Sequence, residues 1–231
     1  MLEALRAEVL EANLELVRRG LVLYTFGNAS GVSREKGWVV IKPSGVPYEK
    51  MTPDDMVITD LQGHIVEGSL RPSSDLATHA ALYRAFPSIG GIAHTHSRHA
   101  TAWAQAGREI PCFGTTHADY FHGPVPVTES LSPAEIEVDY EANTGEAIIR
   151  LMQERDPLAC PAVLVSGHAP FCWGKSVSDA AHAAVILEEL AAMAFQTLVI
   201  NPDAKPISSA LHNKHHHRKH GPKAYYGQPK S

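Results

Sequence analysis

Four short apolar runs, set off by turn-forming residues and separated by helical stretches, constrain this chain more than any other feature. Trp38 to Lys42, Met56 to Thr59, Gly91 to His96 and Ala162 to Val165 are β-branched or apolar and flanked by Gly, Pro, Ser or Asp, the pattern of short strands. Around them the apolar spacing turns helical at Asp75 to Phe86, roughly Ser97 to Gln105, roughly Pro133 to Glu154 and Ser178 to Ile200. The last of these opens with capping-box spacing between Ser176 and Asp179. Leu2, Leu5, Val9, Leu16 and Val17 add an amphipathic helix at the N-terminus, ended by Gly20 in a left-handed cap. The expected class is α/β, with strand direction left open by these patterns.

The 231 residues contain no internal repeat and no long linker, so one domain spanning 1–231 is expected. A formal charge of −5 disfavours a protein that tracks a nucleic-acid backbone and points to a small partner. Three widely spaced cysteines, Cys112, Cys160 and Cys172, form no CxxC pair or disulfide framework, which fits a reducing cytoplasm. The N-terminal segment mixes charge with apolar residues and is unlike a secretory signal. Ala180 to Ile200 carries His182, Glu188, Glu189 and Gln196, so a buried helix is expected there and no membrane association. The one biased segment, Leu211 to Gly221, is rich in histidine but runs into a specific-looking AYYGQ ending.

Chemistry concentrates at a few places. His94 and His96 follow an apolar run, and on a strand residues i and i+2 face the same side, so both imidazoles can reach one cation. His168 follows the run AVLV in a turn where Gly167 lets the backbone swing the ring inward. Asp75, at a helix start beside Ser73 and Ser74, is either a further ligand or a cap. Three neutral imidazoles with a carboxylate suit Zn²⁺ acting as a Lewis acid. Arg71 to Asp75 offers hydroxyls and backbone N–H groups of the kind that bind phosphate. Phe26 to Gly31 and Lys42 to Gly45 read as two further Gly/Ser turns, without the spacing of a nucleotide loop. Thr115 to Tyr120 combines hydroxyls, an imidazole and a carboxylate able to shuttle protons, unless it is only a hydrogen-bonded turn. Tyr225 and Tyr226 are aromatic where tails are usually polar, which suggests a docked tail.

Taken together, FGN at 26–28, IKPSG at 41–45, RPSSD at 71–75, GGIAHTHSRHATAWAQAG at 90–107, GTTHADYF at 114–121 and the RKHG and AYYGQ tail resemble the L-ribulose-5-phosphate 4-epimerases of the class II zinc-dependent aldolase and epimerase family. The resemblance extends from Met1 to Gln228. It implies a central, mainly antiparallel sheet flanked by helices on both sides. It also implies a cyclic homotetramer with active sites between neighbours and a C-terminal tail, 211–231, that contributes to the site. One zinc per subunit would be held by His94, His96 and His168, with Asp75 as the acidic residue at the metal. Gly27, Asn28, Ser44, Gly45, Ser73 and Ser74 would bind a phosphorylated pentulose. Asp119 and Tyr226 would be the acid/base pair, with Thr116, Glu141, His215 and Arg218 in support.

The activity this resemblance implies is epimerisation at C4 by cleavage and re-formation of the C3–C4 bond, in carbohydrate metabolism such as arabinose catabolism. It does not separate L-ribulose 5-phosphate from L-xylulose-type pentulose phosphates. Phe26 stands where Trp is common, and Ser166 to Pro170 departs from an HGP-type run, but neither change removes a proposed ligand. In the sister aldolases a Glu is characteristic at the position of Asp75, and the shorter Asp fits the epimerase better. An L-fuculose-phosphate-type aldolase and a non-catalytic zinc-binding scaffold are the alternatives.

Overall fold

A single seven-stranded sheet runs through the computed structural model, which describes residues 2–220 and 224–227. Its strands are β1 (Asn28–Ser33), β2 (Trp38–Ile41), β3 (Val57–Asp60), β4 (Ile65–Glu67), β5 (Gly91–His94), β6 (Ala162–Leu164) and β7 (Pro170–Gly174). The spatial order is β4-β3-β2-β1-β5-β7-β6, and every neighbouring pair is antiparallel. Helices are α1 (Leu2–Arg18), α2 (Leu76–Ala85), α3 (Arg98–Gln105), α4 (Thr115–Ala118), α5 (Pro133–Met152), α6 (Val177–Ile200) and α7 (Ser209–His220).

Because successive strand residues face opposite sides, the sheet feeds two cores. Ala29, Val40, Ile58, Ala93 and Leu164 pack with α1, α3 and α6 on one face. Val39, Ile41, Val57, Ile92, Val163, Phe171 and Trp173 pack with α2 and α5 on the other. The expected sheet with helices on both sides is therefore the observed one.

α6 is long and apolar enough to cross a bilayer, but its buried side lies on β5, β7, α1 and α3 as the central helix of one core. Its capping box forms as read, with Ser176 and Asp179 exchanging hydrogen bonds of 3.1 Å. The helix start comes so close to the sheet that a Cβ on Gly91 would lie 2.4 Å from the Val177 Cα, and one on Gly174 2.3 Å from the Asp179 Cβ. Glycine at these two strand positions is what admits the helix.

Three expectations change. Phe26 to Gly31 is not simply a turn, since β1 begins at Asn28 and pairs with both β2 and β5. Small residues such as Ala29, Ser30 and Gly31 hide that strand from a search for β-branched runs. Strand β5 stops at His94, so His96 lies just beyond it. The helix read as continuous from Pro133 to Glu154 is broken at Asp139, whose φ of −163° and ψ of 90° are extended. There the Asp139 carboxylate accepts from the Ala142 N–H at 3.0 Å, so Asp139 acts as an N-cap for the second half of α5.

Candidate metal centre and surrounding turns

β5 delivers His94 at its last residue, opposite Phe171 of β7 and Asn28 of β1. The His94 ring stacks on Phe171 at 4.2 Å between centroids, and its Nδ1–H donates to the Pro170 carbonyl at 2.9 Å. That carbonyl can only accept, so in the neutral ring Nε2 carries the lone pair. Phe171 is 1% exposed, and its burial contributes about 1.5–3 kcal/mol while forming the floor beneath the imidazole.

Nε2 of His94 lies 3.2 Å from Nε2 of His96 and 3.2 Å from Nε2 of His168. One lone pair cannot accept well from two donors, whereas separations near ~3.3 Å are those of imidazole nitrogens sharing a tetrahedral zinc. These three residues form the one such ligand cluster among the described residues. Burial pushes the His94 imidazole down to about 3, with Asp75 opposing, and burial also lowers His96 and His168. All three are thereby held in the neutral, metal-binding form.

Local structure explains each position. His96 follows the strand end, and Ser97 after it occupies the N-cap position of α3. The start of α3 is held by Glu188 of α6, whose carboxylate accepts from the backbone N–H groups of His99 at 2.9 Å and Ala100 at 3.0 Å. Burial raises the Glu188 pKa, but these N–H donors outweigh it and leave a carboxylate. His168 sits in the β6–β7 turn, where Gly167 adopts a φ of +71° and the His168 N–H donates to the Val165 carbonyl at 3.0 Å. Tyr140, the first residue after the break in α5, meets Nδ1 of His168 with its hydroxyl.

Asp75 occupies the N-cap position of α2, yet its side chain makes no capping bond. It accepts instead from the Asn28 Nδ2 at 2.6 Å. Burial raises its pKa, but the neighbouring His94 and His79 rings and the Asn28 amide together hold the carboxyl below its usual range. The Asp75 side chain therefore serves Asn28 and not the cap of its own helix.

The separate turns of the sequence converge here. The Ser44 N–H donates to the Arg71 carbonyl and the Ser73 N–H to the Lys42 carbonyl, both at 2.9 Å, so the KPSG and RPSSD segments lie side by side. Ser44, Gly45 and Ser74 are exposed, Ser73 is buried, and Gly27 has a φ of +72°. A Cβ on Gly27 would come 2.6 Å from the His94 carbonyl oxygen, so this turn needs glycine to approach β5. Lys42 is buried under the same turns, with Nζ 3.2 Å from the Pro43 carbonyl and 4.8 Å from the Tyr48 ring centre. Burial lowers its pKa while Asp75 opposes.

A second cluster gathers the remaining candidates. Asp119, next to α4, accepts from Arg218 Nε at 3.0 Å and Nη2 at 2.6 Å, and pairs with His215 at 3.1 Å. Burial works against the Asp119 charge, but the Arg218 and His215 hydrogen bonds and the Lys219 charge keep the carboxyl below its usual range. The exposed Tyr226 ring lies 5.0 Å from the Arg218 guanidinium and 4.4 Å from the Lys219 ammonium. Thr116 lies on α4. Glu141 sits on α5 beside Tyr140, its carbonyl accepting from the Thr78 hydroxyl at 2.6 Å. Gly221 and Gln228 of the tail motif lie outside the described residues. Among the described residues, no hydrogen bond or aromatic contact joins the Asp119 cluster to the histidine triad.

Tyr140, Lys42 and Glu188 were not among the residues singled out from the sequence as site residues. The Asp139-to-Ala142 cap was the signal available for Tyr140, since it marks a helix start three residues before Ala142. Glu188 gave none, because its partners lie 88 and 89 residues away.

Residues 7–195 match the family described as the Class II Aldolase and Adducin N-terminal domain. This chain belongs to that family. The chain is 56% identical over 227 residues to the L-ribulose-5-phosphate 4-epimerase UlaF of Salmonella paratyphi C, covering 98% of this chain and all of the relative. Solved structures carry the same class II aldolase fold. An L-fuculose 1-phosphate aldolase superposes with a TM-score of 0.77 at 24% identity over 92% of this chain and 94% of its own. The L-fuculose-1-phosphate aldolase of Thermus thermophilus gives a TM-score of 0.69 at 24% identity, over 87% of this chain and 99% of its own.

Proposed function

We propose that this class II aldolase family member is a zinc-dependent L-ribulose-5-phosphate 4-epimerase, converting its substrate to D-xylulose 5-phosphate. The observation that carries the reading is the 56% identity to an epimerase over 98% of this chain and 100% of the relative. The convergence of three neutral imidazoles at one point supports a metal-assisted route.

In this reading His94, His96 and His168 hold one zinc per subunit, with Asp75 as the acidic residue beside it. Zinc bound there supplies a Lewis acid that polarises the substrate carbonyl and balances developing negative charge. The paired turns at Ser44, Gly45, Ser73 and Ser74, with Gly27 and Asn28, present hydroxyl and N–H donors to the phosphorylated pentulose. Either Asp119 or Tyr226 takes the C4 hydroxyl proton, and the C3–C4 bond breaks with its electron pair passing toward C2. The products of that step are an enediolate fragment and glycolaldehyde phosphate. Held by its phosphate, the aldehyde turns its other face, the bond re-forms, and the second of the two groups protonates the new C4 alkoxide. Arg218 and His215 keep Asp119 ionised, and Thr116 and Glu141 complete the surroundings.

Residues that must meet at one substrate lie in two clusters of the chain, which favours a homotetramer whose sites form between neighbours, with the tail contributing to them. We assign the enzyme to the cytoplasm and to pentose breakdown of the arabinose type. The test is ³¹P NMR of zinc-loaded protein with L-ribulose 5-phosphate. D-xylulose 5-phosphate as the main new signal is the expected result. Accumulating glycolaldehyde phosphate would make the protein an aldolase, and an unchanged spectrum would refute the substrate.

A further inference from the structure

Each metal ligand needs something to fix which ring nitrogen it offers, and the three histidines differ in how this is done. His94 is fixed by the Pro170 carbonyl and the Phe171 ring. His168 sits on a short turn whose backbone bonds do not touch its imidazole. Among the described residues, its ring partner besides the other two histidines is Tyr140, whose hydroxyl meets Nδ1 and whose ring plane lies at 24° to the imidazole with centroids 5.8 Å apart. We propose that Tyr140 is a positioning residue for the metal, its hydroxyl oxygen accepting a hydrogen bond from the Nδ1–H of His168 so that Nε2 faces the ion. This rests on the metal reading of the triad given above.

The fold goes to some length to place that hydroxyl. The break at Asp139 ends one helix and caps the next, so Tyr140 stands in the first turn of the second half of α5. The Asn143 amide spans the break to the Glu135 carbonyl at 2.7 Å, and Thr78 of α2 donates to the Glu141 carbonyl at 2.6 Å. The segment carrying Tyr140 is thus tied to the helix that begins after Asp75. Were α5 a continuous helix, no such cap would present Tyr140 at its own first turn. Partners of this kind fix the tautomer and orientation of ligating histidines, and losing one typically weakens metal binding by about 10–100-fold.

The test is Tyr140→Phe, which keeps the aromatic ring and removes only the oxygen, read by zinc affinity in competition with a chromogenic chelator. Zinc binding is expected to weaken by about 10–100-fold, while the unfolding midpoint of the metal-free protein moves by no more than about 2 °C. Zinc affinity equal to that of the unaltered chain overturns the proposal. His96→Asn is measured in parallel. If His96→Asn loses zinc and Tyr140→Phe does not, only the role of Tyr140 falls. If His96→Asn binds zinc normally, the triad reading falls and takes Tyr140 with it. A second measurement, independent of any variant, is ¹⁵N NMR of the histidine rings in zinc-loaded protein. Coordination of His168 through Nε2 with a protonated Nδ1 is expected, and coordination through Nδ1 overturns the proposal.

Discussion

The histidine triad and the Asp119 cluster are built on opposite principles. The triad hangs on the sheet: His94 ends β5, His168 sits between β6 and β7, and burial strips these rings of charge. The Asp119 cluster joins two helices, α4 and α7, and keeps its charge by an ion pair with Arg218, 99 positions away, and a hydrogen bond with His215, 96 positions away. Neutral donors on a rigid sheet suit a cation that must stay. An anion held between Arg218 and His215 at the chain's edge suits a group that meets substrate across a subunit boundary. In the homotetramer proposed above, each chain would carry two half-sites.

Four predictions sharpen or break this contrast. His96→Asn should lose zinc and activity together, with kcat/KM falling by about 10³-fold or more, since the Lewis-acid contribution is several kcal/mol. Metal analysis and steady-state kinetics check this, and an active zinc-replete variant breaks it. Asp119→Asn should lower turnover by about 10²-fold while retaining zinc, as the proton-transfer role proposed for its carboxylate requires. Zinc lost in step with activity would merge the two clusters into one.

Mixing the two inactive variants is the more discriminating experiment. If sites form between neighbours, random reassembly of equal amounts should restore about a quarter of wild-type activity, the chance that an intact triad meets an intact Asp119. No recovery after verified subunit exchange would place both clusters in one chain's site.

The smallest effect concerns pH. His79 is fully buried, its Nδ1 bonded to the Ser30 hydroxyl at 2.7 Å, and burial pushes it down to about 4. The unfolded chain binds this proton near pH 6.5 while the folded one refuses it until about pH 4. Stability should therefore decline as pH falls through that window, since the unfolded state there holds more protons. Urea unfolding of metal-free protein from pH 7 to 4 measures the summed decline from His79 and His94, and a flat profile would show that burial does not keep these imidazoles neutral.

The two regions also differ in how legible they were. His94-x-His96 after an apolar run and the Ser176–Asp179 box could be read directly, because each depends on residues a few positions apart. The pairing of β1 between β2 and β5 was hidden, since Asn28, Ala29, Ser30 and Gly31 have none of the bulk that marks a strand. Its partners, not its composition, make it one. The break in α5 was missed because the apolar spacing continues on both sides of Asp139, while a local cap interrupts the backbone.

What the sequence determined by itself was the set of chemical groups: three histidines, an acid at a helix start, hydroxyl-bearing turns and a charged tail. It determined the α/β class as well, because short-range periodicity reflects which face of an element is buried. Only the tertiary structure decided that Asp75 serves Asn28 rather than its own helix, that Tyr140 meets His168, and that Glu188 holds the start of α3. These choices span 47, 28 and 89 residues of chain, and a side chain has no preference among such distant partners until the sheet has brought them within hydrogen-bond reach.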